Sequence, residues 1–175
     1  MDILSHGLWA LAGGEVLRRR GYLTKKALGV TVLLAVLPDL IQLIPVIAWC
    51  IWAKASMTSL VSYALAVPAT EPRFPDSVMF YAYHLYFAMH SVIAVGLVTL
   101  VTLASNPRWV FPLLGWWLHI AIDVPTHSHE YYMTPFLYPL TNRGFDGVPW
   151  NTPWLLALDV CFLLIAGVWV LRRRS

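Results

Sequence analysis

The chain has little charge and almost no cysteine. Only 12% of its 175 residues are Asp, Glu, Lys or Arg, about half the share of an average soluble domain, where roughly a quarter are charged. So few charges exclude a disordered chain and argue against a water-soluble globule. The two cysteines, Cys50 and Cys161, both lie inside apolar runs, and there is no Cys-x-x-Cys pair. A disulfide scaffold and a cysteine metal knuckle are thereby excluded, and both residues read as packing. There is no internal repeat and no low-complexity tract. Nor does the N-terminus have the layout of an ordinary signal peptide: Asp2 stands where a basic region belongs, and the arginines follow the apolar stretch.

What the chain has in abundance is apolar surface. Hydrophobic residues make up 59% and aromatics 14%, and the mean hydropathy is +0.65. The composition and length predict one integral membrane domain over residues 1–175, with the lipid bilayer as its main partner. Five apolar segments can be marked, at residues 3–17, 27–52, 78–104, 109–124 and 154–171. A helix needs about 20 residues to cross a bilayer. The second, third and fifth segments are long enough. The first and fourth are short, so the expectation is an all-α polytopic bundle of four or five spans, the first short or partly spanning. Residues 56–75, with Pro68, Pro72 and Pro75, read as an interfacial loop, and residues 126–153 as a long polar-aromatic loop.

The basic residues are clustered rather than spread. Arg18, Arg19, Arg20, Lys25 and Lys26 form one group and Arg172, Arg173 and Arg174 another. Both flank apolar segments, as topology signals do. A nucleic-acid partner is not expected, because that would call for cations interleaved with aromatics on one folded face. Placing both clusters inside puts the C-terminus in the cytoplasm and the 126–153 loop outside.

Ionisable side chains within such segments are functional candidates by default. The segments hold His6, Asp39, His84, His90, His119, Asp123 and Asp159. At about 1.5 Å of rise per residue, His6, Asp39, His90, His119 and Asp123 come to roughly one depth, in the middle-to-outer half of the bundle. His119 and Asp123 are four residues apart and share a helix face. Imidazole nitrogen with carboxylate oxygen suits a divalent ion, zinc or manganese foremost. A bound ion of this kind activates water, with Asp39 or Asp123 as the general base. Pro125 ends the helix and leaves Thr126 and His127 at its mouth, placed to contact a substrate.

Each residue also has a plain reading. His119 and Asp123 equally fit a helix-stabilising pair, His90 a bond to backbone or Ser91, Asp39 a cap after Pro38, and His6 an interfacial ring. His84 reads as structural, His127 and His129 as solvated loop residues, and Asp159 as an interfacial acid with no obvious partner. The plain readings suffice singly and are strained for five residues at one depth.

The sequence resembles the YdjM-like family of membrane-bound metal-dependent hydrolases. The matching pieces are SHGLWALAGG around His6, LPDL around Asp39, His90-Ser91, and LHIAIDVPTHSHEYYMTPFLYPL from Leu118 to Leu140. Where the family has Pro-Asp-x-Asp-His, this chain has Pro38-Asp39-Leu40-Ile41-Gln42, and His84 is one residue out of the family register. The resemblance implies a hydrolase of a bacterial or archaeal inner membrane. It further implies one metal held by some of His6, Asp39, His90, His119 and Asp123, and a lipid or lipid-linked phosphoester as substrate. Two rivals remain: a non-catalytic metal or proton pathway, which needs polar residues continuing inward, and a structural protein, which binds no metal.

Overall fold

The computed structural model describes residues 1–53, 56–64, 66 and 70–172. Arg173 and Arg174 of the second basic cluster, and Val67 and Pro68 of the expected interfacial loop, lie outside the described residues. The chain is all-α, with helices α1 (Ile3–Arg19), α2 (Lys25–Ile41), α3 (Leu43–Trp52), α4 (Met57–Ala64), α5 (Asp76–Met89), α6 (Val92–Ser105), α7 (Val110–Thr126) and α8 (Pro153–Arg172). A short 3-10 turn, Pro107–Trp109, leads into α7.

The helix ends follow from local chemistry. The Asp2 side chain caps α1 by accepting from the Ser5 amide at 3.0 Å. At its other end Gly21 takes φ +84°, a left-handed conformation that glycine adopts without penalty. Thr24 caps α2 by accepting from Ala27 at 3.1 Å. Ser91 caps α6 by accepting from the amides of Ile93 and Ala94.

Two segments that read as continuous spans are broken. Residues 27–52 form α2 and α3, bent by 58°, and residues 78–104 form α5 and α6, bent by 59°. The second break falls at His90 and Ser91, because Ser91 offers the new helix a better start than the old one a continuation. The 126–153 loop supports it: Val92 N–H donates to the Phe136 carbonyl at 2.9 Å, and the Ser91 hydroxyl donates to the Tyr138 carbonyl. Irregular backbone at such depth is tolerated where protein buries and pairs it. Part of the expected interfacial loop is helical, as α4. Leu60 and Tyr63 from α4 pack against the core of Val46, Cys50, Phe74 and Ala82.

Among the described residues one helix, α8, is long and apolar enough to cross a membrane. The count rises to three if each bent pair is one span. The side chains facing outward are apolar: Leu100 and Val101 on α6 are 63% and 67% exposed, and Leu164 and Ile165 on α8 are 65% and 64% exposed. Contiguous exposure of this kind marks a lipid or partner contact.

The centre of the bundle is α1, α2 and α7. α2 and α7 approach so closely that a Cβ on Gly115 would sit 2.0 Å from the Thr31 carbonyl oxygen. Glycine at this position sets the distance between the two helices. The α7 C-terminus would otherwise leave carbonyls unpaired. Val148, Trp150 and Gly147 amides donate to the carbonyls of Pro125, Thr126 and His127 at 3.0, 2.8 and 2.8 Å. A Cβ on Gly147 would meet the Pro125 oxygen at 2.3 Å. The long loop is thus strapped across the end of α7.

Candidate metal centre

Two helices and one helix break deliver the cluster. Asp39 comes from the last turn of α2, His90 from the α5–α6 break, and His119 and Asp123 from successive turns of α7. One ligand atom from each lies within 4.8 Å of all the others, so these four residues could hold a metal ion. His90 Nε2 is 3.3 Å from Asp123 Oδ2 and 3.5 Å from Asp39 Oδ1. His119 Nε2 is 3.0 Å from Asp123 Oδ2 and 3.7 Å from Asp39 Oδ1. The two Nε2 atoms are 3.0 Å apart. Ligands about 2.0–2.1 Å from a tetrahedral ion are about 3.3 Å from each other, so the spacing suits a shared cation.

Hydrogen bookkeeping makes the same point. His90 Nδ1 lies 2.8 Å from the Tyr86 carbonyl, and His119 Nδ1 2.7 Å from the Ala35 carbonyl. A carbonyl only accepts, so both Nδ1 atoms carry the hydrogen. In the neutral rings both Nε2 atoms are then lone pairs, facing each other and two carboxylates. Acceptors crowded in this way need a cation or extra protons between them. The carbonyl tethers also fix ring orientation, as the outer partners of metal-bound histidines do. Asp39 Oδ2 and Asp123 Oδ2 are buried without a hydrogen-bond partner.

His6 joins the same centre from α1. Its Nε2 is 2.9 Å from Asp123 Oδ1, without the alignment of a hydrogen bond, and its ring lies 3.9 Å from that of His119. All five residues singled out as metal ligands therefore meet in space. Asp123 is enclosed at 0% side-chain exposure, whereas Asp39 retains 12%. Among the four clustered residues, Asp39 is the least enclosed, although its Oδ2 is itself buried.

Thr126 and His127 diverge. The Thr126 hydroxyl donates to Ile122 O at 2.8 Å, one turn back on its own helix, and so offers a ligand only its oxygen lone pairs. His127 is buried rather than solvated. Its Nδ1 lies 2.6 Å from the Tyr132 carbonyl and its Nε2 3.7 Å from Asp123 Oδ1. Burial, above all, pushes the ring down to about 4. The Met1 nitrogen also reaches the cluster, 2.5 Å from Asp123 Oδ1 and 2.8 Å from His127 Nε2.

His84 lies apart from the centre, exposed, with Nδ1 2.8 Å from the Phe80 carbonyl of its own helix. Asp159, read as partnerless, is instead 6% exposed and accepts from the Ser5 hydroxyl and the Trp9 indole, both at 2.7 Å. These bonds join α8 to α1. Two tyrosines around the site had no sequence reading. The Tyr86 ring lies 3.9 Å from that of His90, tilted by 33°, and its hydroxyl donates to Tyr132 O at 3.0 Å. The one available signal was spacing, since a residue four before His90 supplies the carbonyl that tethers it. Tyr132 holds the His127 tether in a left-handed conformation, φ 47°. Its hydroxyl donates to Glu71 at 2.9 Å, a contact no local pattern announces.

Comparisons with family models, with curated proteins and with solved structures give no match for this chain.

Proposed function

We propose that the chain is a membrane-embedded, metal-dependent hydrolase acting on lipid or lipid-linked phosphoesters. One observation carries this reading: two imidazole Nε2 atoms and two carboxylates converge at 3.0–3.7 Å with both Nδ1 hydrogens already committed to carbonyls. The two-nitrogen, two-oxygen donor set favours zinc or manganese. A bound ion of this class supplies Lewis acidity and a more acidic water at neutral pH.

The residues divide the remaining work. His90, His119 and Asp123 hold the ion, with His6 against Asp123. Asp39, the less enclosed of the two acids, is the general base, because Asp123 is held by His6, His119 and the Met1 nitrogen. His127 carries no charge at neutral pH and, with its Nδ1–H given to the Tyr132 carbonyl, presents Nε2 as an acceptor for a water or substrate hydroxyl. Counting α7 with α8 and the two bent pairs gives four spans, and counting α1 as well gives five. The positive-inside tendency of the basic clusters favours a cytoplasmic C-terminus. The motif resemblance to the YdjM-like family favours the same activity in a bacterial or archaeal inner membrane.

A proton or metal pathway is less well supported. Between the cluster and the basic end, the buried residues include Ala35, Ile120 and Trp116, and the Thr31 hydroxyl is bonded to Ala27 O. Among the described buried residues no titratable chain continues inward from the cluster until Glu15, which is bound to Arg18 and Arg19.

The test is hydrolysis of a panel of lipid phosphoesters by the protein in liposomes, with and without chelator. The reading expects metal-dependent release of product, reduced about 100-fold or more by Asp39→Asn. Purified, metal-loaded protein inert toward every phosphoester would contradict it.

A further inference from the structure

The end of the bundle opposite the metal centre has its own cleft. It lies between the α1–α2 turn and the start of α7, has a volume of ≈ 420 Å³, and is lined by Tyr22, Thr24, Lys26, Arg108, Trp109 and Phe111, among others. Ligand sites run from about 300 to 1,000 Å³. The two cations come from separate elements and face one cleft. Neither has an acidic partner among the described residues, and the carboxylate on this end, Glu15, is held by Arg18 and Arg19 at 2.6 and 3.0 Å. The Tyr22 and Phe111 rings flank the cleft with centroids 5.0 Å apart.

A second hollow, sharing no lining residue with the first, lies against α1, α2 and α7. It measures ≈ 390 Å³ and is apolar, with Gly13, Leu17, Thr31, Leu114, Gly115 and Leu118 in its wall. Ala27 borders the first cleft and Thr31 the second, one turn apart on α2. Phe111, Gly115 and Leu118 follow one another on one face of α7. From Phe111 to Ala121 the helix advances about 15 Å. Two cations at one end and an uncharged groove one helical turn further on match the two ends of a phospholipid.

We propose that this pair of cavities binds one anionic phospholipid, its phosphate on Lys26 and Arg108 and one acyl chain in the groove between α1, α2 and α7. The inference needs the chain to lie in a membrane and is independent of the metal centre. Tyr22 and Trp109 flank the glycerol region, where amphipathic rings settle at a bilayer interface. Basic pockets between spans select anionic headgroups on the same electrostatic ground. The acyl groove separates a lipid from a free phosphate, which would fill the cleft alone.

The test is native mass spectrometry of the whole protein released from detergent, after exchange with phosphatidylglycerol or phosphatidylcholine. Phosphatidylglycerol should be retained as a single adduct and phosphatidylcholine should not. The double variant Lys26→Ala with Arg108→Ala should lower retention about tenfold, whereas Arg20→Ala with Lys25→Ala should leave it unchanged. Gly13→Leu, at a site where an added Cβ meets nothing within 4 Å, should fill the groove and lower retention with both cations intact. Equal retention of the two lipids by the unaltered protein overturns the proposal, whatever the variants do. So does full displacement by soluble glycerol phosphate or inorganic phosphate, or an equal loss in the Arg20 and Lys25 control.

Discussion

His90 and His119 meet Nε2 to Nε2 at 3.0 Å, although the Nδ1 of each is already bonded to a backbone carbonyl. Two lone pairs at that distance repel unless a positive charge lies between them. The tethers come from different helices, Tyr86 in α5 and Ala35 in α2, so neither ring can turn away without leaving its buried Nδ1–H unpaired. An unpaired buried group of that kind costs about 1–3 kcal/mol. Packing thereby fixes a geometry that a divalent cation completes.

Ser91 links the long loop to this geometry. Its hydroxyl caps α6 and donates to the Tyr138 carbonyl, immediately beside His90. Ser91→Ala should destabilise the protein by about 1 kcal/mol or somewhat more, and weaken metal binding by misplacing His90. Ser91→Thr should retain most of both. Equilibrium unfolding in mixed micelles, with a metal titration, reads the two effects.

Gly115 controls the distance between α2 and α7. Gly115→Ala would drive a methyl to 2.0 Å from the Thr31 oxygen, whereas a Cβ on Gly96 meets nothing within 4 Å. The first substitution should cost about 1–3 kcal/mol or prevent folding, and the second should be nearly silent. Comparable unfolding midpoints for the two variants would refute the close-packed α2–α7 contact.

Asp159 joins α8 to α1 through two buried hydrogen bonds. Asp159→Ala leaves the Trp9 donor unsatisfied, while the Ser5 hydroxyl keeps Asp2 Oδ2 at 2.7 Å, and should cost about 1–3 kcal/mol. Metal content should not change, because Asp159 is no part of the cluster. A loss of metal as large as the loss of stability would argue against that separation.

His127 gives the metal-free protein a pH dependence. Its ring sits at about 4 when folded and near 6.5 when unfolded. Between those values the unfolded state takes up a proton that the folded state refuses. Stability present above pH 6.5 should therefore decline as the pH falls toward 4. His127→Gln should flatten that part of the profile in chelator-treated protein, and an unchanged slope would assign the decline to other groups.

The apolar segments and the five polar residues were legible because each is an exception to its surroundings. An acid or imidazole in a greasy helix stands out in one dimension, and common depth follows from helical rise. Pro38 and Pro45 signal an interruption in residues 27–52, though not its place at Gln42, whereas the break at His90–Ser91 was not legible. Periodicity treats a bent pair as one run, and Ser91 becomes a cap only when Phe136 and Tyr138 are folded against it. The role of Asp159 was hidden for a similar reason: Ser5 and Trp9 lie about 150 positions away. Tyr132 and Glu71 meet only through the loop's tertiary path. Thr126 and His127 were placed correctly at the mouth of α7, but the direction of the Thr126 hydroxyl depends on its own helix backbone.

The central claim is that the imidazole–carboxylate cluster binds a divalent ion. The most direct measurement is the metal content of detergent-purified protein, after reconstitution with zinc or manganese and removal of excess ion, with His119→Ala measured in parallel. The account predicts a stoichiometric ion in the unaltered protein and its loss from a folded His119→Ala variant. Metal-free wild-type protein after reconstitution with either ion, or a variant that retains the full complement, would contradict it.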